Sequence, residues 1–489
     1  MTGRSAPFRR NAAIMVAGTA LSQGLVFLGL VVLAHLYGPD AIGIQALFMS
    51  ISGLLVTLAS LRLDLALVLE KSDSDARSVG TQAIVQAVVL GALVALVIGL
   101  FGGQIGQLLT RQSDSHTWLY LVPLSIVTGV AYQVGISRAN RSGRFMAIAG
   151  ADATNGVVFV AGGLVLFVTF RGDADIALAR QLAQVASVLA LAYAGHLSIA
   201  WASRRLARGR GFVQTWRRHR QFLVFNTPYS LIGAFARDLP LLVFGAMSGV
   251  AVTAAYSLAR ALTVAPVVLF SSAVSRAFYK EAVDNIGSPQ LHRTVVLLTR
   301  LGLLGALVPF AWLSAWGSEL LPTLLGDEWK LAGQMAALLA PAVWMSLQTG
   351  WPERMFEVTR RQGVSFTIQM AFDSLHAVVV LTTLALTGSP LLTVAAFATS
   401  MFAFHVTYLV AVYKVAGYPS AQLVRDIGLS SGLYVLTWLA FAGLRSRSDS
   451  QLTMWLSLVA AGVATVATLA AVRPRVAHAR PETVPVEEK

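Results

Sequence analysis

The sequence predicts an all-α polytopic membrane protein with about fourteen transmembrane helices, and three observations predict it. Of its 489 residues, 56% are hydrophobic and only 12% are charged. Mean hydropathy is +0.68, well outside the balance of a soluble domain. The apolar residues gather in runs of about 20, the length that crosses a hydrocarbon core at ~1.5 Å rise per residue. The 16 prolines and 41 glycines lie scattered through these runs, as membrane helices tolerate and soluble helix interiors usually do not.

Fourteen runs separated by polar or charged connections follow in order: 12–36, 41–69, 79–102, 117–137, 146–170, 176–200, 222–246, 250–275, 294–316, 331–350, 364–387, 391–413, 426–444 and 453–472. The first is too long for a signal-peptide core, and a second span follows at once across Tyr37, Gly38, Pro39 and Asp40; it reads as an uncleaved helix.

The formal charge of +14 does not indicate nucleic acid, because the arginines form no basic domain with interleaved aromatics. They sit in short connections, where cationic loops resist translocation. With the N-terminus inside, most of the 37 Lys and Arg residues fall in cytoplasmic loops and tails, so both termini are expected in the cytoplasm. The richest connection, near 201–221, carries Arg204, Arg205, Arg208, Arg210, Arg217, Arg218 and Arg220 beside Trp201 and Trp216. It reads as an orientation signal that also leans on anionic headgroups, with recruitment of a substrate as the alternative. The absence of cysteine excludes disulfides, thiolate metal sites and cysteine nucleophiles.

A weak internal repeat divides the chain. ANRSGRFMAIAGADA, opening the fifth span, pairs with TRRQGVSFTIQMAFD, opening the eleventh, and places Asp152 against Asp373; YGPDAIGIQAL resembles MSGVAVTAAYSL at a similar separation. Two pseudo-symmetric six-helix lobes are expected, residues 1–205 and 222–415, joined by the basic linker 206–221 and followed by two further helices in 416–472 and a tail at 473–489. An even number of spans per lobe gives parallel repeats with a site expected between them.

Charges inside a bilayer cost about 2.5 to 3.5 kcal/mol each unless paired or wet, so each one needs a reason. Arg237 and Arg260 fall at middle depth in the seventh and eighth spans, with Arg62 in the second and Arg300 in the ninth nearer the cytoplasm. Guanidinium stays charged and grips phosphate oxygens through a bidentate fork, so these four suit a diphosphate-bearing substrate. Against this, Asp64, Asp152, Asp238 and Asp373 could neutralise them. Arg62 and Asp64 are two apart and Arg237 and Asp238 adjacent, so neither pair is expected to share a helix face. Asp373 and His376, spaced i, i+3, could relay a proton or could tie helices together. No P-loop, zincin helix or nucleophile elbow is present; no catalytic residue, metal site or cofactor is expected.

The stretches LYGPDAIGIQALF, SLRLDLALVLEKSDSDA, GVAVTAAYSLARAL and LLGDEWKLAG together resemble the polysaccharide transporter, or Wzx-type oligosaccharide flippase, family of the MOP superfamily, which also contains MATE exporters and the lipid II flippase. The resemblance covers most of residues 8–440. It implies a two-lobed transporter of the bacterial inner membrane whose cationic cavity, lined by the first, second, seventh and eighth spans, takes an undecaprenyl-diphosphate-linked oligosaccharide. Arg62, Arg237 and Arg260 lie on those spans; Arg300 does not. Membrane lipids, a polysaccharide polymerase and a chain-length regulator are the partners it implies. A MATE-type exporter is the nearest rival, but arginines disfavour cationic drugs. A major-facilitator carrier lacks support because EKSDSDARS, after the second span, has no glycine-rich basic signature. A polysaccharide polymerase or ligase would carry a larger outer loop.

Overall fold

The computed structural model describes residues 24–112, 116–195, 197, 210–448 and 450–477, and these hold 18 helices and no strand. By contacts the chain divides into two compact units, Met1–Ser257 and Leu258–Lys489.

In the first unit, α1 (Gly24–Tyr37) is tied to α6 (Phe145–Thr169) by the Tyr37 hydroxyl, which donates to the Gly163 carbonyl at 2.8 Å. Gly38, at φ 80°, takes a turn that a side chain would strain, and Pro39 then opens α2 (Pro39–Ser60). Helix α2 is the core of the unit: it packs on α4 (Asp73–Thr110), α5 (Val122–Arg141), α7 (Asp175–Tyr193) and α9 (Thr227–Ser248). Ala41, Ile44, Leu47 and Phe48 are buried along it. At Gly43 a Cβ would run into the Val250 carbonyl, so only glycine lets the start of α10 (Val250–Asp284) lie this close.

Two arginines show the helices running up and down. Arg141, at the end of α5, donates to the carbonyls of Val68, Glu70 and Lys71 in the α3 (Leu63–Leu69) to α4 junction. Arg111, at the end of α4, donates to the Ala246 carbonyl at 3.1 Å, near the end of α9. Helix α4 therefore runs between two opposite faces, with 38 residues and a length of about 57 Å, well beyond the 79–102 span expected. Its start is capped by Ser72, whose hydroxyl accepts from the Asp75 amide at 3.0 Å.

The basic connection appears as α8 (Arg210–Arg218) and leads through a π-helical turn, Phe222–Asn226, into α9. Residues 201–209, with Arg204, Arg205 and Arg208, lie outside the described residues, as do the start of the first expected span and the tail from 478.

The second unit is built on α12 (Leu307–Leu325), which packs against α13 (Lys330–Ser346), α17 (Ser420–Arg447) and α18 (Gln451–Ala477), with α16 (Pro390–Val415) laid on α13 and on α15 (Gln362–Thr387). The ninth span was expected as one helix. It begins instead in α11 (Pro289–Gly305) and breaks at Ala306 before α12. Pro309 explains the break, since its ring clashes with the carbonyl four residues back, that of Gly305. A short α14 (Arg354–Val358) precedes α15. Polar ties lock α12 in place: Trp312 donates to Ser457 Oγ at 2.8 Å and the Tyr434 hydroxyl to the Phe310 carbonyl at 2.9 Å.

Eleven helical stretches of the described residues are long and apolar enough to cross a membrane. The three other expected spans coincide with shorter elements: α1, the apolar Val250–Ala265 part of α10, and α13 with 17 residues.

Candidate functional site

Arg62 sits where α2 gives way to α3, in a left-handed pair: Leu61 at φ 45° and Arg62 at φ 55°. Two consecutive non-glycine residues in that region cost roughly 1–2 kcal/mol each and persist only when the surroundings enforce them. Here the Arg62 amide donates to Ser60 Oγ at 3.2 Å, and its Nε–H donates to Ser230 Oγ of α9 at 2.8 Å. The break thus turns a guanidinium sideways onto α9. Asp64 is buried nearby, 5% exposed, with Oδ1 lacking any hydrogen-bond partner.

Ser230 and Arg237 are seven residues apart on α9, two turns along one face, separated by about 10 Å. Arg62, bonded to Ser230, and Arg237 therefore lie along the same face of one helix. The Arg237 side chain is 61% exposed, and it reaches back to its neighbour, with Nε 3.4 Å from Asp238 Oδ1 and Nη2 3.5 Å from Oδ2. This corrects the expectation that adjacent residues do not meet. Their Cβ atoms diverge, but the long arginine stem folds round to the carboxylate, so that an exposed guanidinium meets a carboxylate only 13% exposed.

Arg260 lies half-buried on α10, in the second unit. Arg300 is differently placed: Nε donates to Asp426 Oδ2 at 2.8 Å and Nη2 to Oδ1 at 3.2 Å, a two-pronged pair between α11 and α17. Asp426 was not among the carboxylates considered from sequence, because it sits at the margin of the thirteenth run. With its fork filled, Arg300 is a tie between helices.

Asp373 and His376 are not hydrogen-bonded to each other in the described structure. His376 is buried in a ring cluster with Phe372, Phe397 and Phe404, centroids 5.2 to 6.1 Å away, and its Nε2 lacks a hydrogen-bond partner. Asp152, the repeat partner of Asp373, accepts a short hydrogen bond from the Tyr132 hydroxyl.

Sequence reasoning passed over Arg180. On α7 it donates to Asn155 Oδ1 at 3.1 Å and lies 5.2 Å over the Phe159 ring, while Asn155 donates to Ser187 Oγ at 3.1 Å. An arginine inside an apolar run with Asn155 in the preceding one was the available signal.

Residues 8–279, more than half of the chain, match the family model described as polysaccharide biosynthesis protein. The chain belongs to that family. The match ends earlier than the 8–440 expected from sequence, but likeness in structure extends further. "Lipid II flippase MurJ, inward closed conformation" superposes with a TM-score of 0.72 at 12% identity, over 95% of this chain and 98% of that one. A multidrug resistance MATE family transporter of the MOP superfamily, inward-facing, gives 0.57 at 13% identity, over 83% and 98%. A MOP superfamily transporter from Pyrococcus furiosus gives 0.52 at 11%, over 83% and 95%. No curated protein matches. At such identities these likenesses establish the fold: a polysaccharide-biosynthesis family member with the architecture of MOP-superfamily transporters.

Proposed function

We propose that this protein is a flippase that translocates an undecaprenyl-diphosphate-linked oligosaccharide across the bacterial inner membrane for surface polysaccharide synthesis. The observation that carries the reading is the alignment of Arg62 and Arg237 along one face of α9, two permanent cations in a transporter fold. Guanidinium forks match the oxygens of a diphosphate. Family membership and the lipid II flippase fold support a lipid-linked substrate. Arg62 and Arg237 hold the diphosphate; Arg260 is a third candidate cation, and Asp373 and His376 are candidate carriers of a coupling ion. The repeated lobes 1–205 and 222–415 supply alternating access, with both termini cytoplasmic, and a polymerase and a chain-length regulator act on the product side. Nothing in this reading requires catalysis.

The test is flipping of a lipid-diphosphate oligosaccharide by the purified protein in proteoliposomes. Arg62→Ala and Arg237→Ala should each reduce the rate at least about tenfold, the worth of one charge-assisted hydrogen bond, and the Lys variants should fall between. Unchanged flipping by both Ala variants defeats the reading. The MATE-like architecture supports export of a small molecule as the second reading, and drug efflux without flipping would establish it.

A further inference from the structure

Helix α8 and the residues after it present two faces. Thr215, Arg218, His219 and Phe222 follow helical spacing on one, and Val213, Trp216, Arg217 and Arg220, at i, i+3, i+4 and i+7, on the other. The backbone stays helical across the end of α8, since the His219 amide donates to the Thr215 carbonyl at 2.9 Å and the Phe222 amide to the His219 carbonyl at 2.9 Å.

The first face is clamped to the bundle. Glu70, at the end of α3, is buried at 4% exposure. Its Oε1 lies 2.7 Å from His219 Nε2 and its Oε2 lies 3.1 Å from Arg218 Nη2. Arg141 holds the Glu70 carbonyl from the α5 side and lies 3.6 Å from Asp73, while Arg218 also reaches Asp75 at 4.0 Å. The His219 ring meets Phe222 edge-on at 6.3 Å, at the start of the π-turn that opens α9. A buried carboxylate serving Arg218 and a histidine 149 residues away fixes the approach to the helix that carries Ser230 and Arg237.

The second face is open. Val213 is 50% and Trp216 41% exposed, and Arg217 and Arg220 are exposed beside them. The segment connects two spans, α7 and α9, so it lies at a membrane face. A tryptophan with an aliphatic neighbour suits the headgroup level, and flanking arginines suit phosphate.

We propose that the Val213–Trp216–Arg217–Arg220 face docks on anionic phospholipid headgroups, and that the Glu70 clamp transmits this docking to α9, so that transport depends on anionic lipid. The transport half rests on the flippase reading; the docking half does not. Among the described residues, the neighbouring carboxylates Glu70, Asp73 and Asp75 are engaged with Arg77, Arg141, Arg218 and His219.

The chain has no cysteine, so Val213→Cys in the full-length protein takes a single nitroxide label. In proteoliposomes of phosphatidylcholine with phosphatidylglycerol, the label should become accessible to oxygen and protected from a water-soluble nickel chelate; in phosphatidylcholine alone it should not. Arg217→Glu with Arg220→Glu should lower the protected fraction about thirtyfold or more, as expected from about 1 kcal/mol for each of two basic residues at an anionic surface. Equal accessibility in both vesicles overturns the docking. Protection that appears only when lipid-diphosphate oligosaccharide is added overturns it in favour of substrate recruitment. For the clamp, Glu70→Gln should keep the label protected yet abolish the phosphatidylglycerol dependence of flipping. If Glu70→Gln inserts poorly, Trp216→Ala, an exposed position, serves instead and should reduce protection and lipid dependence together. Lipid-dependent flipping that survives both variants overturns the clamp, whereas absence of all flipping by the native chain overturns the flippase reading and leaves the label result standing.

Discussion

Arginines of the same formal charge do different things here, and their surroundings sort them. Arg300 has its fork filled by Asp426, with side chains 34% and 16% exposed; removing it strands a largely buried carboxylate. Arg300→Ala should lower the detergent melting temperature, with a loss of about 1–3 kcal/mol for the half-buried pair, and Asp426→Asn in the same chain should recover much of it. A double variant no more stable than the single would show that the pair is not the cause. Arg237 is 61% exposed but its partner Asp238 only 13%, so Arg237→Ala should also lower the melting temperature, by no more than the Arg300 variant, and should in addition cost transport. Measuring melting and flipping on both Ala variants separates a helix tie from a substrate ligand. From sequence the four candidate arginines could be told apart only by depth and by the span that carries each, because a one-dimensional search for partners reaches only a turn or two along one helix. Asp426 is 126 residues from Arg300 and could be found only by folding the chain.

At the scale of the element, helix contacts depend on where side chains are missing. Gly317 of α12 and Gly333 of α13 face each other so closely that a Cβ on Gly317 would lie 2.9 Å from the Gly333 carbonyl oxygen, and a Cβ on Gly333 would meet the Gly317 carbonyl. Without a hydrophobic drive between helices in lipid, such close backbone approach and the dispersion it permits are what hold a pair together. Gly333→Leu should therefore separate α12 from α13, lowering the amount of membrane-inserted protein and its melting temperature by the equivalent of about 2 kcal/mol or more. Gly363, with open space around it, is the control, and equal effects at both sites would refute the close-packing account. The same element scale explains why the ninth span split. Hydropathy sees a continuous run across Ala306, whereas Pro309 interrupts the backbone ladder inside it; close to the break, the Leu303 carbonyl accepts from Trp344 Nε1 at 2.9 Å.

For the whole molecule, the alternation of faces shown by Arg141 and Arg111 combines with the charge bias to predict sidedness. A phosphatase fusion near Arg210 should be inactive and one near Gly388, in the turn between α15 and α16, active; activity near Arg210 would contradict the orientation. The sequence by itself determined that the chain is helical and membrane-spanning, roughly where the spans lie, and which family it resembles. These properties follow from composition and run length, since each lipid-embedded helix satisfies its own backbone hydrogen bonds and needs no distant partner to be recognised. Only the tertiary structure decided which charges meet. Arg62 reaches Ser230 through a left-handed break that no propensity scale would place in an apolar run. Arg180 found Asn155, Arg300 found Asp426, and Glu70 captured the basic linker through His219 and Arg218. Each pairing bridges separate helices, and in a medium where an unpaired charge costs several kcal/mol, which helices are neighbours decides which arginines become ties.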